Sequence, residues 1–102
     1  MHTYELTKDA DADLAGIARY TINEWGETQG SLYIEKLHQC FQKLAINKVR
    51  SKIFSQRFPH MFVSSCEHHY VFYLHHEEEK TIIIAVLHKR MDLLTHLKKR
   101  LQ

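Results

Sequence analysis

One proline, three glycines and two cysteines stand among the 102 residues of this chain, and each scarcity narrows what it can be. The sequence offers no phosphate-binding glycine loop, no dinucleotide fingerprint and no G-x-S-x-G elbow, which removes the common nucleotide-binding and nucleophilic-hydrolase signatures. Cys40 and Cys66 fall in separate predicted elements and are too few for a disulfide framework or a zinc knuckle, so they read as reduced core thiols. No apolar segment reaches membrane length, and the N-terminus lacks a basic region followed by an apolar run; a cytoplasmic protein with no membrane contact is the expectation. There is no internal repeat and no low-complexity stretch. One small domain over residues 1–102 is expected, with a modest core and little room for a large cofactor; none is called for.

What the chain has is a strong charge asymmetry. The formal net charge is only +2, yet residues 1–35 carry two basic and seven acidic groups while residues 36–102 carry twelve and five. Five basic and no acidic residues lie between Lys43 and Arg57, and Lys98-Lys99-Arg100 forms a second cluster. Such patches attract polyanions or an acidic protein partner, although cations also suit helix C-termini for purely structural reasons.

Hydrophobic periodicity supplies the elements. Thr3 to Leu6 alternates as a first strand; Thr7 and the acids Asp9, Asp11 and Asp13 suit a helix N-terminus, and Leu14, Ile17, Ala18, Thr21, Ile22 and Trp25 recur at helical steps up to Gly26. A second helix is predicted from near Thr28, with Tyr33, Leu37, Cys40, Phe41 and Leu44 on one face; the two form an antiparallel hairpin. Gly30 sits in its first turn, at a cost of about 1 kcal/mol against alanine. Asn47 to Pro59 reads as a basic loop, since proline suits neither a helix interior nor a central strand. His60 to Ser65 and His69 to His75 read as strands joined by a turn, and Glu77-Glu78-Glu79 leads into Thr81 to Leu87. Its six consecutive apolar residues, Ile82 to Leu87, predict a strand covered on both faces. Asp92 then caps a short basic helix carrying Leu94, Leu97 and Leu101. The sum is an α+β chain of order β-α-α-β-β-β-α, an antiparallel-rich sheet crossed by a helical hairpin.

Taken in order, Tyr20-Thr21, Trp25-Gly26, Gln29, Tyr33, Leu44-Ala45, His69-Tyr70-Val71-Phe72-Tyr73, Leu87-His88, Met91-Asp92 and His96-Leu97 resemble a ParE toxin of the RelE/ParE superfamily. The chain departs from that pattern at Gly30, where alanine is common, and at Asn47-Lys48-Val49-Arg50, where a Pro-Gly turn is usual. The resemblance implies a type II toxin–antitoxin system whose toxin traps DNA gyrase on broken DNA. It also implies a ParD-like antitoxin that wraps the toxin and binds operator DNA through a ribbon-helix-helix domain, so that the toxin meets operator DNA only through the antitoxin. Antitoxin contacts are expected on the helical hairpin and the adjoining sheet edge.

On that reading the gyrase-facing residues are His88, Lys89, Arg90, Met91 and Asp92 at the end of the last strand, with Lys98, Lys99 and Arg100 beyond them. No catalytic residue is required. The sister activity, ribosome-dependent mRNA cleavage of the RelE type, needs groups to activate a ribose hydroxyl, stabilise phosphorane charge and protonate a leaving oxygen; Arg57, Tyr70, Tyr73, His88 and Arg90 are the candidates. His88 reads either as a base held neutral by the neighbouring cations or as a turn-former that works with Asp92 through hydrogen bonds. Tyr70 and Phe72 fall on one strand face and Tyr73 on the other, which favours packing over base stacking.

Nine histidines raise the question of a metal. Neither H-x-H nor H-x-x-x-H occurs, and roughly 20 Å of strand separates His69 from His75. No metal site is expected, and the histidines of the sheet read as exposed.

Overall fold

The computed structural model describes residues 3–46, 52–55, 58–76, 80–90 and 100. Its elements are β1 (Thr3–Leu6), α1 (Lys8–Trp25), α2 (Glu27–Ala45), β2 (Lys52–Ser55), β3 (Phe58–Cys66), β4 (His69–His76) and β5 (Lys80–His88). The α+β class, the helical hairpin and the order of the main strands agree with expectation. Of the C-terminal helix predicted from Asp92 only Arg100, which is helical, is among the described residues, and the segment 47–50 lies outside them.

Local chemistry sets the helix ends. The Thr7 hydroxyl accepts from the Ala10 amide at 3.1 Å, and Asp9 and Asp11 place negative charge in the first turn of α1. Gly26 alone separates the helices. Its φ of 91° is strained for any residue with a side chain, its amide closes α1 on the Ile22 carbonyl, and its own carbonyl accepts from Gly30 to open α2. Gly30 has a packing role that helix propensity conceals: a Cβ there would come within 2.5 Å of Ile22 Cγ1 and 3.2 Å of its backbone nitrogen. The glycine lets the two helices approach.

The strands form one sheet in the order β1-β5-β4-β3-β2. β1 runs parallel to β5, with Thr3 opposite Lys80 and Leu6 opposite Ile83, and every other neighbouring pair is antiparallel. The helices cover one face. Ala10, Leu14, Leu37, Phe41 and Leu44 pack there against Cys66, Val71, Tyr73, Ile83 and Val86. Phe72, Ala85 and Leu87 form a second buried group, flanked by Val63, Tyr70 and Ile84. Ala85, Val86 and Leu87 are therefore buried in succession, as an unbroken apolar run predicts.

The reading of residues 47–59 as a loop is corrected at two places. Lys52–Ser55, read as loop, forms the edge strand β2, pairing Lys52 with Val63, Ile53 with Phe62 and Ser55 with Phe58. Four residues are too few to show alternation, so the strand owes its existence to its partner. Pro59, expected outside the sheet, lies within β3, but in the irregular stretch between the Phe58 and Phe62 pairings and ahead of Met61, where pairing with β4 begins. Its missing N–H therefore falls outside the regular ladder.

A further correction concerns the thiols. Cys40 of α2 and Cys66 at the end of β3 are joined as a disulfide, their Cα atoms 6.1 Å apart, instead of remaining reduced. Laying α2 across the sheet brings together two residues 26 positions apart. Their separation in sequence carried no sign of it.

Candidate functional site

The sequence directs attention to the end of β5, and the structure builds a corner there from three elements. β3 and β4 are joined through Glu67 and His68, and Glu67 adopts a left-handed φ of 56°. Cys66 pairs with His69 across this turn, and His69 pairs with His88 of β5. The Lys89 amide donates to the His68 carbonyl at 3.3 Å, which lays the first residue beyond β5 against the turn. The Lys89 ammonium sits 5.3 Å from the Tyr70 ring centroid, in a cation–π contact. Arg90 is exposed, and its amide donates to His88 Nδ1 at 3.1 Å. His88 thus helps fold the turn through its ring nitrogen, with Arg90 as the donor.

Behind this corner stands Tyr33 of α2. Its hydroxyl lies 2.7 Å from His69 Nδ1 and accepts from the His68 amide at 3.1 Å, while its ring stacks on that of His68. Burial pushes the Tyr33 phenol up; the His68 amide bond opposes that shift and Glu67 adds to it. His69 is only 7% exposed, which corrects the expectation of exposed sheet histidines. Burial is the main cause that lowers it to about 4, reinforced by His88, His68 and Lys89 and opposed by Asp13. A neutral His69 leaves Nδ1 able to accept the phenolic hydrogen. The His69 and His88 rings meet edge-on, 5.2 Å between centroids.

His75 also departs from the exposed reading. It is half-buried beside Phe62 and Tyr73, its Nδ1 lies 3.2 Å from the Thr81 hydroxyl, and burial lowers its pKa. Among the described residues no group of three or more His, Cys, Asp or Glu side chains is placed to hold a metal ion.

The remaining candidates disperse. Tyr73 is 1% exposed in the core beneath the helices, Tyr70 packs beside Phe72, Ala85 and Leu87, and His88 touches His69. Arg57, Met91, Asp92, Lys98 and Lys99 lie outside the described residues. Arg100 is engaged internally: its guanidinium donates to both carboxylate oxygens of Asp13, at 2.7 and 3.1 Å, and to the Ile84 carbonyl at 2.9 Å, with Asp9 at 3.7 Å. The Asp13 hydrogen bonds raise the Arg100 pKa further. Sequence reading assigned Asp13 only to a helix N-terminus; the acidic first third and basic remainder were the available signal for this pairing.

The hairpin presents a second surface. Ala18, Ile22, Ile34 and His38 line an open groove between α1 and α2, with Ser31 and Glu35 at its edge. Tyr20, Trp25 and Leu32 are exposed on these helices, so Trp25, placed by its spacing on the apolar face of α1, points away from the core.

A helical hairpin laid across a mixed five-stranded sheet is a fold found in a toxin–antitoxin system. A solved structure described as the chromosomal ParDE TA system from P. aeruginosa shares it, with a TM-score of 0.70 over 86% of this chain and 96% of that one, at 15% identity. Sequence narrows the class. The model of the family described as ParE toxin of type II toxin-antitoxin system, parDE, matches residues 4–93, and Toxin ParE of Escherichia coli is 47% identical over 100% of this chain and 99% of its own length. The chain belongs to the ParE toxin family of type II toxin–antitoxin systems.

Proposed function

We propose that this protein is a cytoplasmic toxin that acts by binding: it engages DNA gyrase, traps the enzyme on broken DNA, and is neutralised by a ParD-like antitoxin. The observation that carries the reading is the 47% identity to a ParE toxin over the whole chain. Gyrase engagement is assigned to the corner formed by His88, Lys89 and Arg90, and to Met91, Asp92, Lys98 and Lys99, which follow it in sequence. The exposure of Lys89 and Arg90 supports that assignment. Arg100, bonded to Asp13 and the Ile84 carbonyl, is assigned a supporting role instead of a target contact.

The antitoxin is assigned to the other surface. An apolar groove between helices that also expose Tyr20, Trp25 and Leu32 suits the apolar face of a partner segment. The ribbon-helix-helix domain and operator binding belong to the antitoxin in this scheme. Ribosome-dependent mRNA cleavage is the alternative, and the burial of Tyr73 away from Tyr70 counts against the proposed RNase set.

Cells producing the toxin separate the two activities. Gyrase-linked chromosome breaks with intact transcripts are expected; transcripts cut on the ribosome without such breaks would refute the proposal. Lys89→Glu combined with Arg90→Glu is expected to abolish arrest while leaving antitoxin binding intact, and full arrest by that variant would remove the corner from the account.

A further inference from the structure

The β3–β4 turn is held from outside itself. Glu67 is in the left-handed region, which costs a residue with a side chain roughly 1 kcal/mol, so a free turn of this sequence has reason to relax. Two ties from α2 oppose that. Cys40 fixes Cys66 on one side of Glu67, and the Tyr33 hydroxyl holds the His68 amide and His69 Nδ1 on the other. Tyr33 and Cys40 are seven residues apart, two turns along one helix face.

The turn in its turn holds the end of β5. His68 accepts from the Lys89 amide, and His69 lies edge-on to His88. The Lys89 ammonium reaches back over Tyr70, the next residue of β4. Among the described residues, the Lys89 amide and ammonium contacts thus run to His68 and Tyr70, on either side of the His69 that the Tyr33 hydroxyl meets.

We infer that Tyr33 is a positioning residue for the target-facing corner: its hydroxyl, through His68 and His69, fixes where β5 delivers Lys89 and Arg90. The functional part of this statement rests on the gyrase reading above; the structural part does not. The molecule contains its own control. Tyr4 of β1 makes the same kind of bond, hydroxyl to His38 Nδ1 at 2.7 Å, to the same helix, and its ring meets His38 and Phe41 instead of the described residues of the corner.

Tyr33→Phe keeps the ring against His68 and removes only the oxygen; Tyr4→Phe does the same at the control bond. Two quantities are measured on the full-length protein: amide hydrogen exchange at Lys89, and the toxin concentration that half-inhibits gyrase supercoiling. Tyr33→Phe is expected to speed Lys89 exchange and to raise that concentration, each by about tenfold, through loss of both hydrogen bonds of the hydroxyl. Tyr4→Phe is expected to change neither by more than its global stability loss accounts for. If Tyr33→Phe does not fold, His69→Phe, which keeps a ring and the His68 amide bond but removes the other partner of the hydroxyl, is expected to speed Lys89 exchange to a smaller extent. Unchanged Lys89 exchange in these variants, or equal shifts in Tyr4→Phe and Tyr33→Phe, overturns the positioning role. Wild-type toxin without effect on gyrase overturns the functional reading alone, and the exchange comparison then decides the positioning role by itself.

Discussion

Asp13 and Arg100, 87 residues apart, complete the upper part of β5. β1 stops pairing at Ile83; beyond it the Asp13 carboxylate accepts from the Val86 amide at 2.9 Å, and Arg100 donates to the Ile84 carbonyl while gripping both oxygens of Asp13. Ile84 is the residue passed over where the β4 register shifts, between the pairings of Phe72 with Ala85 and Tyr73 with Ile83. Two charged side chains thus satisfy backbone groups at an irregular point in the sheet. They also tie the acidic start of the chain to its basic end.

Both side chains are largely shielded, so removing one leaves the other poorly solvated. Asp13→Asn or Arg100→Met is expected to lower stability by about 2–3 kcal/mol, more than an exposed ion pair such as Glu5–Lys80 would cost. Urea unfolding of the two single variants and the double variant measures it. A double variant no worse than either single variant is the expected sign of coupling.

Gly30→Ala runs against helix propensity. Alanine gains about 1 kcal/mol intrinsically, but its Cβ meets Ile22, and the net effect expected is a loss of about 1–3 kcal/mol. Thermal melting reads it. Adding Ile22→Ala is expected to recover part of the loss by removing the Cγ1 contact, while the contact with the Ile22 backbone remains.

How far the sequence foretells such features depends on how local their causes are. The hairpin broken at Gly26 and the strands β4 and β5 repeat their signal over many residues and were legible. β2 was not, because its four residues depend on pairing with Phe58, Phe62 and Val63. The Cys40–Cys66 bond, the Tyr33–His69 bond and the Asp13–Arg100 pair join positions from 26 to 87 apart, and only the packed chain brings them together. The corner itself was half visible. His88, Lys89 and Arg90 stood out by charge at the end of an apolar strand, whereas Tyr33 was marked only by its helix face and by the family resemblance, and His68, in the turn, carried no signal of holding Lys89.

His69 gives stability a pH dependence of known sign. Its folded value of about 4 lies below the ordinary 6.5, so the unfolded chain binds the proton more readily between those values. Stability from this group is complete above pH 6.5 and is lost as pH falls toward 4, by roughly 2 kcal/mol after allowance for partial solvent screening. Denaturant midpoints across this range are expected to fall less in His69→Phe than in the wild type.

The disulfide closes a loop between α2 and β3. Reduction with a phosphine, or Cys40→Ser with Cys66→Ser, is expected to cost about 3 kcal/mol through the larger freedom of the unfolded chain. Melting under oxidising and reducing conditions checks this, with thiol counting to confirm the state of each sample. Equal melting temperatures for verified disulfide and dithiol forms would show that the bond adds nothing to folding.

The central claim is that the protein stops gyrase by binding it, and supercoiling of relaxed plasmid by purified gyrase with ATP tests it most directly. Increasing toxin is expected to abolish supercoiled product and, after protein digestion, to leave linear DNA, with both effects reversed by the cognate antitoxin. Undiminished supercoiling, by folded toxin that arrests growth in cells, would contradict the account.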